Sequence, residues 1–396
     1  MKFLYHHRTL GRGGEGVHIA SMVRALEALG HTTRVASPSG VDPLNMAGAS
    51  PVDKGLSQVR GINRIWKFVS CWVPDIFFEI LEIGYNVVVL FRLGPILQRR
   101  RQDVYYERYA FFMFMGVCLA KYFGWPVLLE VNEVVGVQRA RNQVLIPVSQ
   151  WFEKMVFKKA DAIFTVSSFL KEEVLKRSGR PGGVHVIPNA VDAQVIESTE
   201  TGDQIRKRYQ FDRHKVVGFA GWFDTWDRLD LLIDVIREVH EEYPHVRLML
   251  VGNGPVADLL TEQVRNSNLE EVVFLTGPVP KSQVLSYIAA MDICVLPDSN
   301  VFGSPIVLFE FMGMGKAVIA PDLLPIRDII EDGRDGLIVQ PGDPHSLQQA
   351  LSRLLSDRTL CRELGARARQ KVLDQHTWQE NGKRVERFAS ALIEKD

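Results

Sequence analysis

The sequence predicts an α/β protein built from two doubly wound, Rossmann-like domains facing a central cleft. Three observations carry that prediction. At 396 residues the chain exceeds what one ordinary core encloses. Two successive series of short apolar runs alternate with helical patterns, one on each side of residue 200. Between them, from Asp192 to about His214, the chain turns polar and charged, which reads as a linker with a short helix.

The first series opens with the strand MKFLY, the glycine-rich turn GRGGEG and an amphipathic helix from about Val17 to Leu29. In that helix Val17, Ala20, Val23 and Leu26 recur at helical spacing. Gly30 stands where a helix stops on a left-handed residue. TTRVAS, DVYYE (103–107), PVLLEV (126–131), AIFTVS (162–167) and VHVIPN (184–189) read as the following strands. The second series is VVGFAG (216–221), RLMLVG (247–252), VVFLTG (272–277), DICVLP (292–297), AVIA (317–320) and GLIV (336–339). Apolar runs without strict alternation suit parallel strands buried on both faces. In such folds ligands sit at the carboxyl ends of the strands.

Bulk composition narrows the function. Lys plus Arg equals Asp plus Glu at 47 each, so no global field steers the chain to nucleic acid. Cys71, Cys118, Cys294 and Cys361 form no CxxC pair and read as small buried hydrophobes in a reducing compartment. No Asp-x-Asp cluster points to a metal. The start has an apolar run of only Phe3 to Tyr5, too short for a secretory signal, so a cytoplasmic setting is expected. The most apolar segment, 68–91, is interrupted by Asp75, Glu79 and Glu82. Charges there cost about 2.5–3.5 kcal/mol each near a span centre, so a spanning helix is rejected. The three acids share one stripe of a helix instead. Residues 61–101 mix Trp66, Phe68, Trp72, Phe77 and Phe78 with Arg60, Arg64, Lys67 and Arg99 to Arg101 around this segment. Two readings stand for it: peripheral docking on a membrane, or a helical layer covering the first sheet.

Motifs in the second half follow one another in a fixed order. They are VIPNAVD (186–192), GFAGW with DLLIDVI (218–236), LVGNGP (250–255), FLTGPVPKSQVLSYIAAMDICVLPDS (274–299), GSPIVLFEFMGMGKAVIA (303–320) and DGRDGLIVQPGDPHSLQQAL (332–351). GGEGVHIASMVRALEALGH (13–31) and TVSSFLKEEVL (165–175) join them in the first half. In this order and spacing the chain resembles glycosyltransferase family 4. The resemblance implies the GT-B fold and hexosyl transfer with retained configuration. It implies a UDP- or GDP-linked sugar as donor substrate, with no further cofactor. The acceptor would be a glycan or a lipid-linked molecule, in cell-surface or extracellular polysaccharide synthesis. It also implies an acceptor domain over 1–192, rejoined by the last helix (376–396), and a donor domain over 193–375.

A nucleotide-sugar needs donors for its diphosphate and acceptors for its ribose. Glu310, after GSPIVLF, is read as a carboxylate at a helix start that accepts the ribose hydroxyls, as its counterpart in the family does. Gly303, Ser304 and Pro305 read as a helix-start anion site, with Pro305 also suited to the N1 position. Gly13 and Gly14 fill the first strand-to-helix loop, where backbone amides approach phosphate or sugar closely. Gly252, Asn253, Gly254 and Val279 would line the base pocket through the main chain. On the acceptor side Glu130 and Asn132 share one face of a strand end. Both are candidates for catalysis, and Glu130 alternatively pairs with Arg108. Arg139 and Arg141 meet either an anionic acceptor or solvent. His6, His7 and His18 are candidates for proton handling, without a partner visible in the sequence.

Three positions depart from the family pattern. Its leading glutamate is Phe302 here; its basic pair falls on Trp222 and Asp227; a lysine carried by related branches falls on Val307. The donor site is therefore either rebuilt around Arg228 and Lys316 or weakened. The weakened case is a non-catalytic GT-B scaffold subunit of a polysaccharide assembly. A sugar-nucleotide epimerase is disfavoured, because the second half carries no evident carboxylate-and-histidine set.

Overall fold

A computed structural model describes residues 1–9, 14–37, 42–46, 75–99, 102–137, 143–199 and 201–394. The chain divides into two compact units, 1–188 with 378–396, and 189–377. The sequence reading sets these boundaries at 192/193 and 375/376.

The first unit is a parallel sheet in the order β2-β1-β3-β4-β5-β6. Its strands are β1 (Lys2–His6), β2 (Thr32–Ala36), β3 (Val104–Arg108), β4 (Val127–Val131), β5 (Ala162–Thr165) and β6 (Val184–Val186). The central strands are buried on both faces, as their continuous apolar runs require, whereas β2 at the edge is largely solvated. Around them pack α1 (Gly14–Ala28), α2 (Asp75–Gln98), α3 (Met115–Tyr122), α4 (Ile146–Lys159) and α5 (Ser168–Ser178). Helix α5 starts at a Ser167 cap that accepts the Leu170 amide at 3.3 Å and ends on Gly179 in the left-handed region.

Helix α1 begins at Gly14, earlier than the hydrophobic period alone indicates, and Gly30 has φ +85° as expected of a terminating glycine. The acidic stripe of α2 is real and points inward. Glu79 is buried and accepts the amides of Val144 and Leu145 at 2.8 and 2.6 Å, and Glu82 pairs with Arg8 at 2.9 Å. No helix among the described residues is long and apolar enough to cross a membrane.

The second unit repeats the scheme with β7 (Lys215–Trp222), β8 (Val246–Asn253), β9 (Val273–Leu275), β10 (Ile293–Val295), β11 (Ala317–Pro321) and β12 (Leu337–Val339). All pairings are parallel, and the order is β12-β11-β10-β7-β8-β9. Counted from β7, this is the Rossmann order 3-2-1-4-5-6 read backwards, with the topological switch between β7 and β10. The charged linker holds two short helices, α6 (Ala193–Ser198) and α7 (Asp203–Arg208), rather than one. The helices that follow and matter below are α8 (Leu229–Glu242), α9 (Ala257–Asn266), α10 (Lys281–Ala290) and α11 (Ile306–Gly313).

The last helix, Trp378–Ile393, belongs to the first unit and packs on α1. Gly382 allows that crossing, since an added Cβ would press on Ala25 and Leu29. The buried Asn381 amide donates to Pro188 O at 2.7 Å and fixes the helix along its length.

Candidate functional site

In the second unit the switch point is formed by the loops leaving β7 and β10. After β7 the chain makes a tight turn in which Asp224 and Asp227 cap each other. The Asp224 amide donates to Asp227 Oδ2 at 3.0 Å, and the reciprocal bond completes a capping box. Asp227 is buried, and burial, with the charges of Asp224 and Asp298 adding to it, pushes its carboxyl up to about 7. Burial also raises Asp298, against the pull of Arg228. Arg228 takes a left-handed backbone (φ 51°) at the start of α8, and its half-exposed guanidinium pairs with Asp230 at 3.1 Å. This crevice therefore carries Asp224, Asp227 and Asp298, with Arg228 drawn to Asp298 and paired to Asp230. The Asp-x-x-Asp spacing was a legible cap signal that the sequence reading passed over.

Lys316 does not join this crevice. Its ammonium donates to the carbonyls of Ala289 and Met291, both at 2.7 Å, immediately ahead of β11. That is the amino end of the strand, the wrong end of the sheet for a ligand. The expectation of a donor site rebuilt partly on Lys316 is corrected accordingly, and Arg228 remains.

Glycines 252 and 254 have packing reasons of their own. Gly252 has φ +138°, and an added Cβ would overlap Gly221 O; one on Gly254 would overlap the Phe223 backbone. Asn253 closes the turn by accepting the Gly254 amide at 2.9 Å, and its carbonyl accepts the Phe223 amide at 2.9 Å. The two strand-end loops thus touch through main chain, which only glycine permits. Gly252→Ala is expected to cost about 3 kcal/mol or more. Chemical denaturation of the variant checks this. Val279 is partly buried against the core between β9 and α10.

The loop after β10 differs from a simple anion cradle. Asn300 Oδ1 accepts the Gly303 amide at 2.5 Å and the Phe302 amide at 3.3 Å, so the Gly303 N–H is already committed. The buried Ser304 hydroxyl accepts the Asn189 amide at 3.1 Å. Pro305 is the N-cap (ψ 117°) rather than the first helical residue expected of it. Amides available to an anion begin at Ile306 and Val307, in the first turn of α11.

Glu310 is the fifth residue of α11, not its start, so it does not complement the helix dipole at the first turn. It is half-buried, and among the described residues its carboxylate has no hydrogen-bond or ion-pair partner. Burial pushes it up to about 7, against a partial pull from Lys281 at the start of α10. Three fully buried carboxylates, by contrast, are satisfied: Glu79 by two amides, Glu153 by Tyr109, Val135 and Arg177, Asp335 by the Glu331 amide and Lys371. A desolvated carboxylate left without an internal partner marks a functional position.

In the first unit the switch lies between β1 and β3. Strand alternation sorts its polar groups onto two faces. On one face Glu130 of β4 collects Arg108 at 2.5 Å, Asn132 Nδ2 at 2.7 Å, His18 Nε2 of α1 at 3.0 Å, Tyr106 at 3.0 Å and Tyr5 at 3.1 Å. Burial alone would raise this carboxyl, but the charges of His18 and Arg108 hold it well below the usual carboxylate range. A carboxylate so saturated is a weak base and holds its donors in place; the pairing with Arg108 is realised. On the other face His6 Nδ1 lies 2.8 Å from Glu107, and Tyr105 donates to the same carboxylate. Gly116 of α3 leaves room for that cluster, because a Cβ there would overlap Tyr105 and Glu107.

Both histidines thus have carboxylate partners that the sequence reading lacked. The signal was present in YYER and LLEVN, whose alternate residues are polar and face neighbouring strand ends. Gly14 opens α1 and is exposed; Gly13, Arg139 and Arg141 lie outside the described residues.

Comparison with known proteins fits this geometry. The family description "Glycosyltransferase Family 4" matches residues 12–195, and "Glycosyl transferases group 1" matches residues 214–357. Alpha-maltose-1-phosphate synthase of Mycolicibacterium smegmatis is 27% identical over 248 residues, covering 58% of this chain and 63% of that protein. The GDP-mannose-dependent alpha-(1-6)-phosphatidylinositol monomannoside mannosyltransferase of the same organism is 23% identical over 257 residues, covering 63% and 67%. The chain therefore spans about two thirds of these curated relatives. Among solved structures, HepE of Anabaena in complex with UDP superposes with a TM-score of 0.71 at 15% identity, covering 99% of this chain and 100% of that one.

Proposed function

The chain belongs to the GT-B glycosyltransferases of family 4, and on that premise we propose that it transfers a hexosyl group from a UDP- or GDP-linked donor to a glycan or lipid-linked acceptor. The observation that carries this reading is Glu310, a half-buried carboxylate without an internal partner, held near 7 by burial in the helix after β10. Such a group gains hydrogen bonds when two ribose hydroxyls arrive. The first-turn amides of α11 and the Arg228 guanidinium supply donors for the diphosphate. As the bond from the anomeric carbon to the diphosphate breaks, the acceptor oxygen bonds that carbon and its hydroxyl proton passes to the departing diphosphate; retention of configuration is part of the proposal. No cofactor is needed. The setting proposed is the cytoplasm, in peripheral contact with a membrane, where a polysaccharide precursor is built. A curated relative whose name specifies GDP-mannose and a phosphatidylinositol mannoside supports the donor and acceptor classes.

A second reading is favoured by one observation. Arg228 is already paired to Asp230 and drawn to Asp298, and Asp224 and Asp227 stand in the same turn. If these carboxyls outweigh it, the chain is a GT-B scaffold with a degenerate donor site. Calorimetry with UDP and GDP separates the two. Micromolar binding of one nucleotide, followed by sugar transfer from its diphosphosugar, is the expected result. Absence of binding by either nucleotide would move the conclusion to the scaffold.

A further inference from the structure

Apart from its inward acidic stripe, Asn86 and Arg92, helix α2 is largely apolar, yet only one face is covered. Glu79, Asn86, Val89, Leu93 and Leu97 are buried. On the opposite face Phe77, Ile80, Leu81, Val87 and Phe91 are exposed, Phe91 by 73%. These fall at i, i+3, i+4, i+10 and i+14, a single stripe. A soluble monomer rarely leaves a helix face of this length bare.

A second exposed apolar element begins near α2. The Glu79 carboxylate holds the amides of Val144 and Leu145, and Asn86 holds the amides of Phe114 and Met115. Phe114 in turn stacks on Phe152 of α4 at 4.3 Å. These contacts bring the start of α4 beside α2, where Val144, Ile146, Val148 and Trp151 are exposed, Trp151 by 62%.

The charges on the two helices are sorted by sign. Glu79 and Glu153 are buried and bonded, Glu82 is paired with Arg8, and Asp75 is half-buried. The cations Arg92 of α2 and Lys154, Lys158 and Lys159 of α4 are exposed, as is Arg99 just past α2. An aromatic and aliphatic surface rimmed by cations, with its acids turned inward, is complementary to an anionic lipid surface.

We propose that the outer face of α2 and the amino-terminal half of α4 form a docking surface for a membrane bearing anionic lipid. This rests on the reading above of a peripheral contact, and it assigns that contact its residues and its lipid chemistry. It also moves the surface away from the aromatic residues of 61–74, which lie outside the described residues.

The test is co-flotation of the full chain with vesicles of phosphatidylcholine, with and without phosphatidylglycerol. Binding to the anionic vesicles, weakened by salt, is expected. Each cation removed near the surface weakens binding about fivefold, so Lys154→Gln/Lys158→Gln/Lys159→Gln should lose on the order of a hundredfold. Phe77→Ser/Phe91→Ser/Trp151→Ser should abolish flotation while leaving the melting temperature and nucleotide binding unchanged. Equal flotation of the wild type and both variants would overturn the proposal. So would a wild type that ignores lipid, including one whose face is covered by a second copy, seen as a dimer in sedimentation. Nucleotide binding by the same wild type separates the readings: if it is retained, the docking surface alone falls, and if it is absent, the transferase reading falls with it.

Discussion

Glu310→Ala is expected to weaken nucleotide binding by roughly a hundredfold or more, the loss of two hydrogen bonds to a charged group. The reason lies in the burial of this carboxyl. Burial holds the Glu310 carboxyl at about 7 rather than at its ordinary value of 4.5. At neutral pH the group is therefore about half protonated, and binding of a ribose diol to the ionised form must release the remaining proton. Affinity for UDP or GDP is expected to fall as pH drops below about 7, by up to tenfold per unit, and to level off above it. The stability effect has the opposite sign. A carboxyl raised on folding gives its full contribution below the unfolded value and loses it as pH rises through 7. Glu310→Gln should therefore be more stable than the wild type above pH 7, by about 1–3 kcal/mol, and equal to it near pH 4.5. Calorimetric titration and thermal melts of the same variant across pH read both effects. A Glu310→Gln protein that binds as the wild type does, or one that is less stable at pH 8, would remove this residue from the donor site.

The contrast between Glu310 and Lys316 explains how far sequence carries a reading of this kind. Both are charged residues in one motif, GSPIVLFEFMGMGKAVIA, and both were candidates for the same site. The apolar run placed β11 well, because burial on both faces leaves an unmistakable pattern in AVIA, whereas the reading of Glu310 as a helix start set α11 four residues late. What the run did not reveal is which end of the strand each charge sits at relative to its hydrogen-bond acceptors. Lys316 turns back onto the carbonyls of Ala289 and Met291, an arrangement set by residues 25 or more positions earlier in the chain. Likewise the commitment of the Gly303 amide to Asn300 is a side-chain choice inside a loop, invisible to propensity. The two halves of the polar network on the first sheet were legible in principle. Register pairs Arg108 with Glu130 and His6 with Glu107, and alternation then fixes their faces. What was missing was the strand order, β2-β1-β3-β4, which places His6 and Glu107 side by side although 101 residues separate them. The bare face of α2 was unreadable for another reason: the acidic stripe marks the covered side only once its partners, the Val144 and Leu145 amides and Arg8, are known.

Glu130→Ala should unfold the first unit selectively. In the wild type this carboxylate is the common acceptor for Arg108, His18, Asn132, Tyr5 and Tyr106, deep in the sheet. Removing it leaves the Arg108 guanidinium without its buried counter-charge, and takes the acceptor from the His18 ring and from two tyrosine hydroxyls. Breaking a buried pair from one side costs about 3–5 kcal/mol, and the stranded hydroxyls add about 1–3 kcal/mol each. Against a typical domain stability of about 5–15 kcal/mol, that is enough to abolish folding of the unit at physiological temperature. Glu130→Gln keeps the shape and some acceptor capacity but not the charge, so it should fall between the two. The wild type should also resist acid. A carboxyl depressed on folding contributes above the ordinary carboxylate range and loses that contribution only as pH falls through its own, much lower, folded value. Differential scanning calorimetry separates the units, because the second has its own core and none of these residues. The expected trace for Glu130→Ala keeps the transition of the second unit and loses that of the first, with nucleotide binding retained. A trace in which both transitions persist would mean that the network is dispensable for folding and that Glu130 is free to serve the acceptor directly.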